Sequence, residues 1–316
     1  MEQLSSVVHR TPLTTSATLN EQTGKKVFMK MENQQKTGAF KIRGASYKIS
    51  QLTQHEMKRG VIAASAGNHA QGVALAAAKR GIEAKIFMPA NTPKAKTKAT
   101  EGYGAKIVLT GESFQEAYEA AIQEQKRSQA VFIHPFDDPD VMAGQGTIAI
   151  EMLQEQPSLD TLIVPVGGGG LISGIAFAAK NINPTIKVIG VQAERASATY
   201  NQFHSKGATS LASVSTIADG IAVKRPGELT YPIIRKYVDH IVTVSDQQLA
   251  ATMVHMLERE KTMVEGAGAA ALAALLSYHK KINTKQCGVV VSGGNMDIAK
   301  LPSIQSLSQK HNYQVV

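Results

Sequence analysis

An α/β protein with open, twisted sheets of mainly parallel strands is the fold class this sequence predicts, and three observations carry that prediction. Short apolar runs alternate with longer segments of helical character along the 316 residues. That order of elements implies parallel strands joined by right-handed crossovers. Three of the runs also pass straight into glycine-bearing loops: VIAAS into SAGN, VPV into GGGG and VVV into SGGN.

The first series of β-α units starts at Gly60. VIAAS is followed by the Ala-rich HAQGVALAAAKRG, then AKIFMP and the lysine-bearing PKAKTKATEGYG. KIVLTG, the amphipathic SFQEAYEAAIQEQKRS and AVFIHP complete it. A second series begins at Thr161 with TLIVPV, the glycine loop, LISGIAFAAKNIN and IKVIGVQAE. HIVTVS, QQLAATMVHMLEREK, AGAAALAALLSYHKK and CGVVVSGG follow. Pro135, Pro139, Gly144 and Gly146 cluster between the series, so a break is expected from Phe136 to Gly146. Ligands of open α/β sheets bind beyond the carboxyl ends of the strands, so the three glycine loops are expected to meet at one ligand. Any one of them alone reads equally well as a turn that needs glycine for its backbone.

Composition narrows the function classes. Hydrophobic residues are 43% and charged residues 19%, ordinary for a soluble globular protein. The single cysteine, Cys287, rules out an intramolecular disulfide and fits a cytoplasmic setting. MEQLSSVVHRTPL lacks an apolar core of signal-peptide length. The uncharged stretch Thr161 to Ala179 is divided by Pro165 and four glycines, so it reads as strand, loop and helix, and no membrane role is expected. The net charge of +9 is spread along the chain, aromatics are 5% and tryptophan is absent. Nucleic acid is therefore not an expected partner, and the basic surface implies at most a mild attraction for small anions.

Gly167, Gly168, Gly169 and Gly170 follow a buried strand and open a helix at Leu171. Backbone N–H groups there can approach an anion closely, and a phosphate is the natural guest. No Gly-Lys-Ser/Thr follows, and the spacing fits no G-x-G-x-x-G register. Gly266 to Ala271 does fit G-x-G-x-x-A, but no acidic residue stands about 20 positions on, so close helix packing is the better reading. Lys41 stands in TGAFKIRGA between Phe40 and Ile42. Desolvation there would lower its pKa and free the amine for Schiff-base chemistry, although spacing alone leaves an ordinary solvated lysine open. HEMKR lacks the second histidine of a zinc helix, no G-x-S-x-G occurs, and one cysteine makes no thiolate cage. No metal site is expected.

HRTPL, MKMENQQKTGAFKIRGA, SAGNHAQG, HPFDDPDVMAGQGT, PVGGGGLISG, ADGIAVKRPG, EGAGA and SGGNMD occur in that order over nearly the whole chain. Together they resemble the threonine dehydratase and serine racemase family of fold-type II pyridoxal phosphate enzymes, with the closest likeness to short, catabolic-type threonine dehydratases. The resemblance implies that Lys41 carries pyridoxal 5′-phosphate as a Schiff base and that Phe40 packs against its ring. It implies further that Gly167 to Gly170 and Leu171 bind the phosphate, that Asn68 meets the ring hydroxyl and that Ser292 faces the ring nitrogen. Ser65, Ala66, Asn68 and His69 would take the substrate carboxylate. A large cofactor-binding domain of residues 1–49 and 139–316, with a small domain of 50–138 inserted, is expected from the same likeness. So are a small hydroxy amino acid as substrate, a homodimer or homotetramer, and a nucleotide effector of the kind some catabolic relatives use.

Three positions depart from the family pattern. Ala39 replaces a frequent serine before Phe-Lys. Ala66 stands where animal-type serine racemases carry a serine that is the second proton carrier, which favours a lyase over a racemase. Those racemases also hold a divalent metal with carboxylates at the positions of Glu194 and Tyr200, and tyrosine is a poor ligand for a hard cation. A threonine/serine ammonia-lyase is the expected activity. Serine racemase and hydroxyaspartate dehydratase stand as alternatives on the same scaffold, and a catalytically silent ligand-binding protein is the non-enzymatic one.

Overall fold

The computed structural model describes residues 2–310. Among them ten strands form two sheets. The strands are β1 (Leu13–Thr15), β2 (Lys26–Met31), β3 (Val61–Ala64), β4 (Ala84–Met88), β5 (Lys106–Leu109), β6 (Val131–Phe132), β7 (Thr161–Pro165), β8 (Lys187–Ala193), β9 (His240–Val244) and β10 (Gln286–Val291). One sheet runs β1-β2-β10-β7-β8-β9 and the other β5-β4-β3-β6. Every pairing is parallel except β1 with β2. The fold is thus α/β, with two mostly parallel sheets flanked by helices, as the alternation of elements predicts.

Burial explains the continuous apolar runs. All residues of β3 and of β7 are buried, which is the signature of strands covered on both faces. Helix Gly266–Tyr278 is apolar all round and packs against β10, β7, β8 and β9 at the centre of one core. Helices Pro139–Glu155 and Gly170–Ile182 cover the other face of the six-stranded sheet. β6 is only two residues long, shorter than AVFIHP suggests.

Within the stretch from Phe136 to Gly146, only the part up to Asp138 is loop. Pro139 to Glu155 is a single helix, and Asp138 caps it by accepting from the N–H groups of Asp140 and Val141. Pro139 occupies the first turn, where a missing N–H costs nothing. Gly144 and Gly146 lie inside the helix because two neighbours press against it. A Cβ on Gly144 would sit 2.6 Å from the Arg43 carbonyl oxygen, and one on Gly146 would sit 2.8 Å from that of Gly174. The glycines mark helix crossings, not a turn.

Gly174 is the tightest of these contacts, since a Cβ there would lie 2.0 Å from the Met142 carbonyl oxygen, which is backbone and has nowhere to go. Gly174→Ala is expected to lower the free energy of unfolding by about 1–3 kcal/mol, read from urea denaturation. An unchanged midpoint would show that the two helices do not cross this closely.

Candidate active site

Lys41 opens helix Lys41–Ser50, and the chain just before it is spliced to the loop after β10. Ala39 and Gly293 form an antiparallel bridge. The Phe40 N–H donates to the Ser292 carbonyl at 3.1 Å, and the Gly294 N–H donates to the Gly38 carbonyl at 2.9 Å. Reaching this pairing takes two successive residues into the left-handed region, Thr37 at φ 67° and Gly38 at φ 70°. A β-branched residue there is a strained exception of the kind that concentrates at functional sites.

The Lys41 amine is partly buried, donates to the Pro135 carbonyl at 2.7 Å and lies 5.3 Å from the centre of the Phe40 ring. Burial lowers its pKa from 10.5 to about 8, against the opposing pull of the Glu265 carboxylate. Ser292 is buried, and its hydroxyl donates to the Ala267 carbonyl at 3.2 Å.

Pro135 belongs to a loop that packs against the glycine run. A Cβ on Gly168 would be 2.4 Å from the Phe136 ring, and one on Gly170 would be 2.7 Å from the Phe136 carbonyl oxygen. Gly169 adopts φ +100°. The Asp137 carboxylate accepts from the N–H groups of Glu228, Leu229 and Thr230 at 2.9–3.0 Å, and the Thr230 hydroxyl donates to the Gly168 carbonyl at 2.7 Å. Residues 135 to 137 therefore hold the lysine amine on one side and the glycine loop on the other. Leu171 lies one residue into the helix that the loop opens.

The loop after β3 reaches the same place. The Asn68 side-chain amide donates to Glu265 Oε1 at 2.7 Å, and Asn68 Oδ1 accepts from Asn295 Nδ2 at 2.8 Å. Asn295 Nδ2 also donates to the Thr37 carbonyl at 2.7 Å. Ser65 Oγ accepts from the Gly67 N–H at 3.2 Å, and Ala66 contributes only a methyl group. His69 is buried, with Nε2 2.8 Å from the Ile133 carbonyl oxygen. Burial and the nearby Lys41 push its pKa down to about 3, so the neutral imidazole spends its one ring N–H on that carbonyl and has none to offer a carboxylate.

The structure thus joins Lys41, Phe40, Ser292, Asn68 and the glycine loop through direct contacts or one intervening residue. It leaves Glu194 and Tyr200 elsewhere, at the end of β8, where the Tyr200 ring packs 4.6 Å from that of His204. No group of three or more His, Cys, Asp or Glu side chains able to hold a metal occurs among the described residues. Nor is any of their helices long and apolar enough to cross a membrane.

Glu265, Asn295 and the Pro135–Asp137 loop escaped the sequence reading. Burial raises the Glu265 pKa to about 7, with the Asn68 hydrogen bond opposing and Asp219 reinforcing. The available signal was EGAGA, whose glycines pack against backbone: a Cβ on Gly268 would lie 2.1 Å from the Gly293 carbonyl oxygen. That packing sets Glu265 beside the lysine.

A family model described as pyridoxal-phosphate dependent enzyme matches residues 4–293. The chain is 49% identical over 301 residues to an L-threonine ammonia-lyase of Thermotoga maritima, covering 95% of this chain and 75% of the relative. It is 45% identical over 305 residues to the catabolic L-threonine dehydratase TdcB of Escherichia coli, covering 96% and 93%. Among solved structures, maize serine racemase superposes with a TM-score of 0.92 at 38% identity, covering 98% of this chain and 96% of that one.

The lowered pKa of Lys41 gives a direct expectation. In cofactor-free protein, modification of Lys41 by an amine reagent, followed by peptide mass spectrometry, should rise through a midpoint near pH 8. Glu265→Gln removes the charge that favours the ammonium, so it should move the midpoint lower. A wild-type midpoint near 10.5, or an upward shift in the variant, would contradict the electrostatics described.

Proposed function

This chain belongs to the pyridoxal-phosphate dependent enzyme family, and we propose that it is a threonine/serine ammonia-lyase that uses pyridoxal 5′-phosphate. It removes the β-hydroxyl and ammonia from L-threonine or L-serine to leave 2-oxobutanoate or pyruvate. The observation that carries the reading is a desolvated Lys41 amine spliced beside a neutral Ser292.

The residues present fit the cofactor. Side chains at Gly168 or Gly170 would overlap Phe136, so the loop offers bare backbone N–H groups to a phosphate at the amino end of a 13-residue helix. Lys41 offers an amine of lowered basicity to an aldehyde. When bound, pyridoxal phosphate supplies the electron sink that makes the substrate α-proton acidic.

In this reading Gly167 to Gly170 and Leu171 would hold the phosphate, Phe40 would pack on the ring, Asn68 would meet the ring hydroxyl and Ser292 would face the ring nitrogen. Glu265 and Asn295 keep the Asn68 amide in one orientation by their hydrogen bonds. A neutral serine cannot hold a proton on the ring nitrogen as a carboxylate would, so early loss of the β-hydroxyl is favoured over transamination. The loop of Ser65, Ala66, Asn68 and His69 binds the substrate carboxylate, because first-turn N–H groups of helix Asn68–Ala78 have no helix carbonyl to bond. Lys41 Nζ takes the α-proton, which a group titrating near neutrality does well.

The division into a unit of 1–49 and 139–316 and an inserted unit of 50–138 is part of this proposal. Its support is that β3 to β6 make a sheet of their own while Asn68 links it to the 292–295 loop. A homodimeric or homotetrameric state and a nucleotide effector rest on the family resemblance alone, and a cytoplasmic setting rests on the single cysteine, Cys287.

Likeness to a serine racemase keeps a second reading in view. Racemisation needs an acid on the cofactor face opposite Lys41, whereas Ala66 has no proton to give. From L-serine, pyruvate should therefore exceed D-serine by about a hundredfold or more, since a positioned acid contributes about 10²–10⁴ in rate. Ala66→Ser should raise D-serine formation without loss of bound cofactor. Wild-type D-serine rivalling pyruvate would sink the lyase reading, as would the absence of 2-oxo acid from both L-threonine and L-serine.

A further inference from the structure

We propose that Arg43 is a positioning residue for the Lys41 amine, fixing together with Gln145 the first turn of the helix that the lysine opens. The inference rests on the reading of Lys41 as the reactive amine.

Arg43 stands two residues beyond Lys41 and is 0% exposed. Its guanidinium makes two forks. Nε and Nη2 donate to the two oxygens of Glu32 at 2.8 Å each, and Nη1 and Nη2 donate to those of Glu151 at 2.6 and 2.9 Å. Nη1 also reaches Thr147 Oγ1 at 3.1 Å, and Nη2 reaches the His9 carbonyl at 3.2 Å. Both carboxylates have second partners: Lys30 Nζ lies 2.6 Å from Glu151, and the Thr11 hydroxyl donates to Glu32. Two cations and two anions thus close a neutral set in the interior. It ties the lysine helix to β2, to the residues just after it and to helix Pro139–Glu155.

Burial of the guanidinium opposes its charge, but the two carboxylates outweigh that and raise its pKa, so the guanidinium stays charged. Such a set is a weak route to stability, because packed apolar side chains of like volume often do as well. What apolar packing cannot supply is direction. Two forks in one plane specify where the first turn lies and how it is rotated about its axis.

Gln145 adds a neutral tie to the same turn. Its Oε1 accepts from the Gly44 N–H at 3.1 Å, in the first turn of the helix. On the other side, a Cβ on Gly72 would lie 3.1 Å from the Lys41 carbonyl carbon and from the Ile42 nitrogen. The lysine backbone is therefore held by the Arg43 set, by Gln145 and by helix Asn68–Ala78. The side chain is tied separately, by the hydrogen bond from its amine to the Pro135 carbonyl. A displacement of about 1 Å at a reacting group can cost about 10²-fold in rate, so this clamp belongs to the catalytic geometry.

Two variants test it. Arg43→Lys keeps the charge and loses both forks, and Gln145→Met keeps the volume and changes no charge. In each, kcat and KM for L-threonine are measured on the holoenzyme, and the pH midpoint of Lys41 modification is measured on cofactor-free protein. A positioning role predicts a fall in kcat of about 10- to 100-fold, KM within about twofold of wild type and a displaced Lys41 midpoint. A folded Arg43→Lys protein with wild-type kcat and an unmoved midpoint overturns the inference, even if its melting temperature drops. Should Arg43→Lys fail to fold, Gln145→Met decides by the same two readouts. Full turnover by Lys41→Ala would instead sink the reading on which the inference rests.

Discussion

The pairing of residues 38–40 with residues 292–294 is the constraint on which the rest of the site depends. It has one bridge, Ala39 to Gly293, and two flanking hydrogen bonds. Yet it joins the start of the lysine helix to the loop that leaves β10, and β10 lies beside β2 in a parallel register of six residue pairs. The lysine and Ser292, 251 positions apart, are thereby set by sheet geometry instead of by a flexible loop. The left-handed backbone at Thr37 and Gly38 is the local cost of making that turn.

Around the splice, the molecule uses missing side chains as much as present ones. Gly44, Gly72, Gly144, Gly146 and Gly174 let helices cross at backbone distance, and Gly168 and Gly170 let Phe136 lie against the glycine loop. Close crossings carry the scaffold into the site with little play. Into this tight frame the chain places ionisable groups whose burial moves them toward neutrality, with Lys41 at about 8 and Glu265 at about 7. The Arg43 set lies behind the lysine helix, and each of its members has an opposite partner at hydrogen-bond distance.

Much of this is legible in the sequence, and what is not has definite physical reasons. Strands β3, β7 and β10 announce themselves because a strand buried on both faces must be apolar throughout, and glycine loops mark their carboxyl ends. Lys41 stands out for its apolar neighbours. β1 and β6, at three and two residues, are too short to carry a period. Gly144 and Gly146 look like a turn because glycine has the same signature in a loop and at a helix crossing. Lys30, Glu32, Arg43 and Glu151 each read as ordinary surface charge, and only the fold brings residues 30 and 151 within 2.6 Å. Glu265 is hidden in the same way, since nothing in EGAGA says that Asn68 will donate to it. His69 sits in a recognisable motif, but the motif does not disclose that its ring is committed to the Ile133 carbonyl.

The central claim is that a single desolvated amine, that of Lys41, holds the cofactor covalently. Borohydride reduction of the protein loaded with pyridoxal phosphate, followed by proteolysis and mapping of the fixed label, tests it most directly. The account predicts one modified peptide, carrying the label on Lys41 within TGAFKIRGA. Label on a different lysine, or a protein that takes up none, would contradict it.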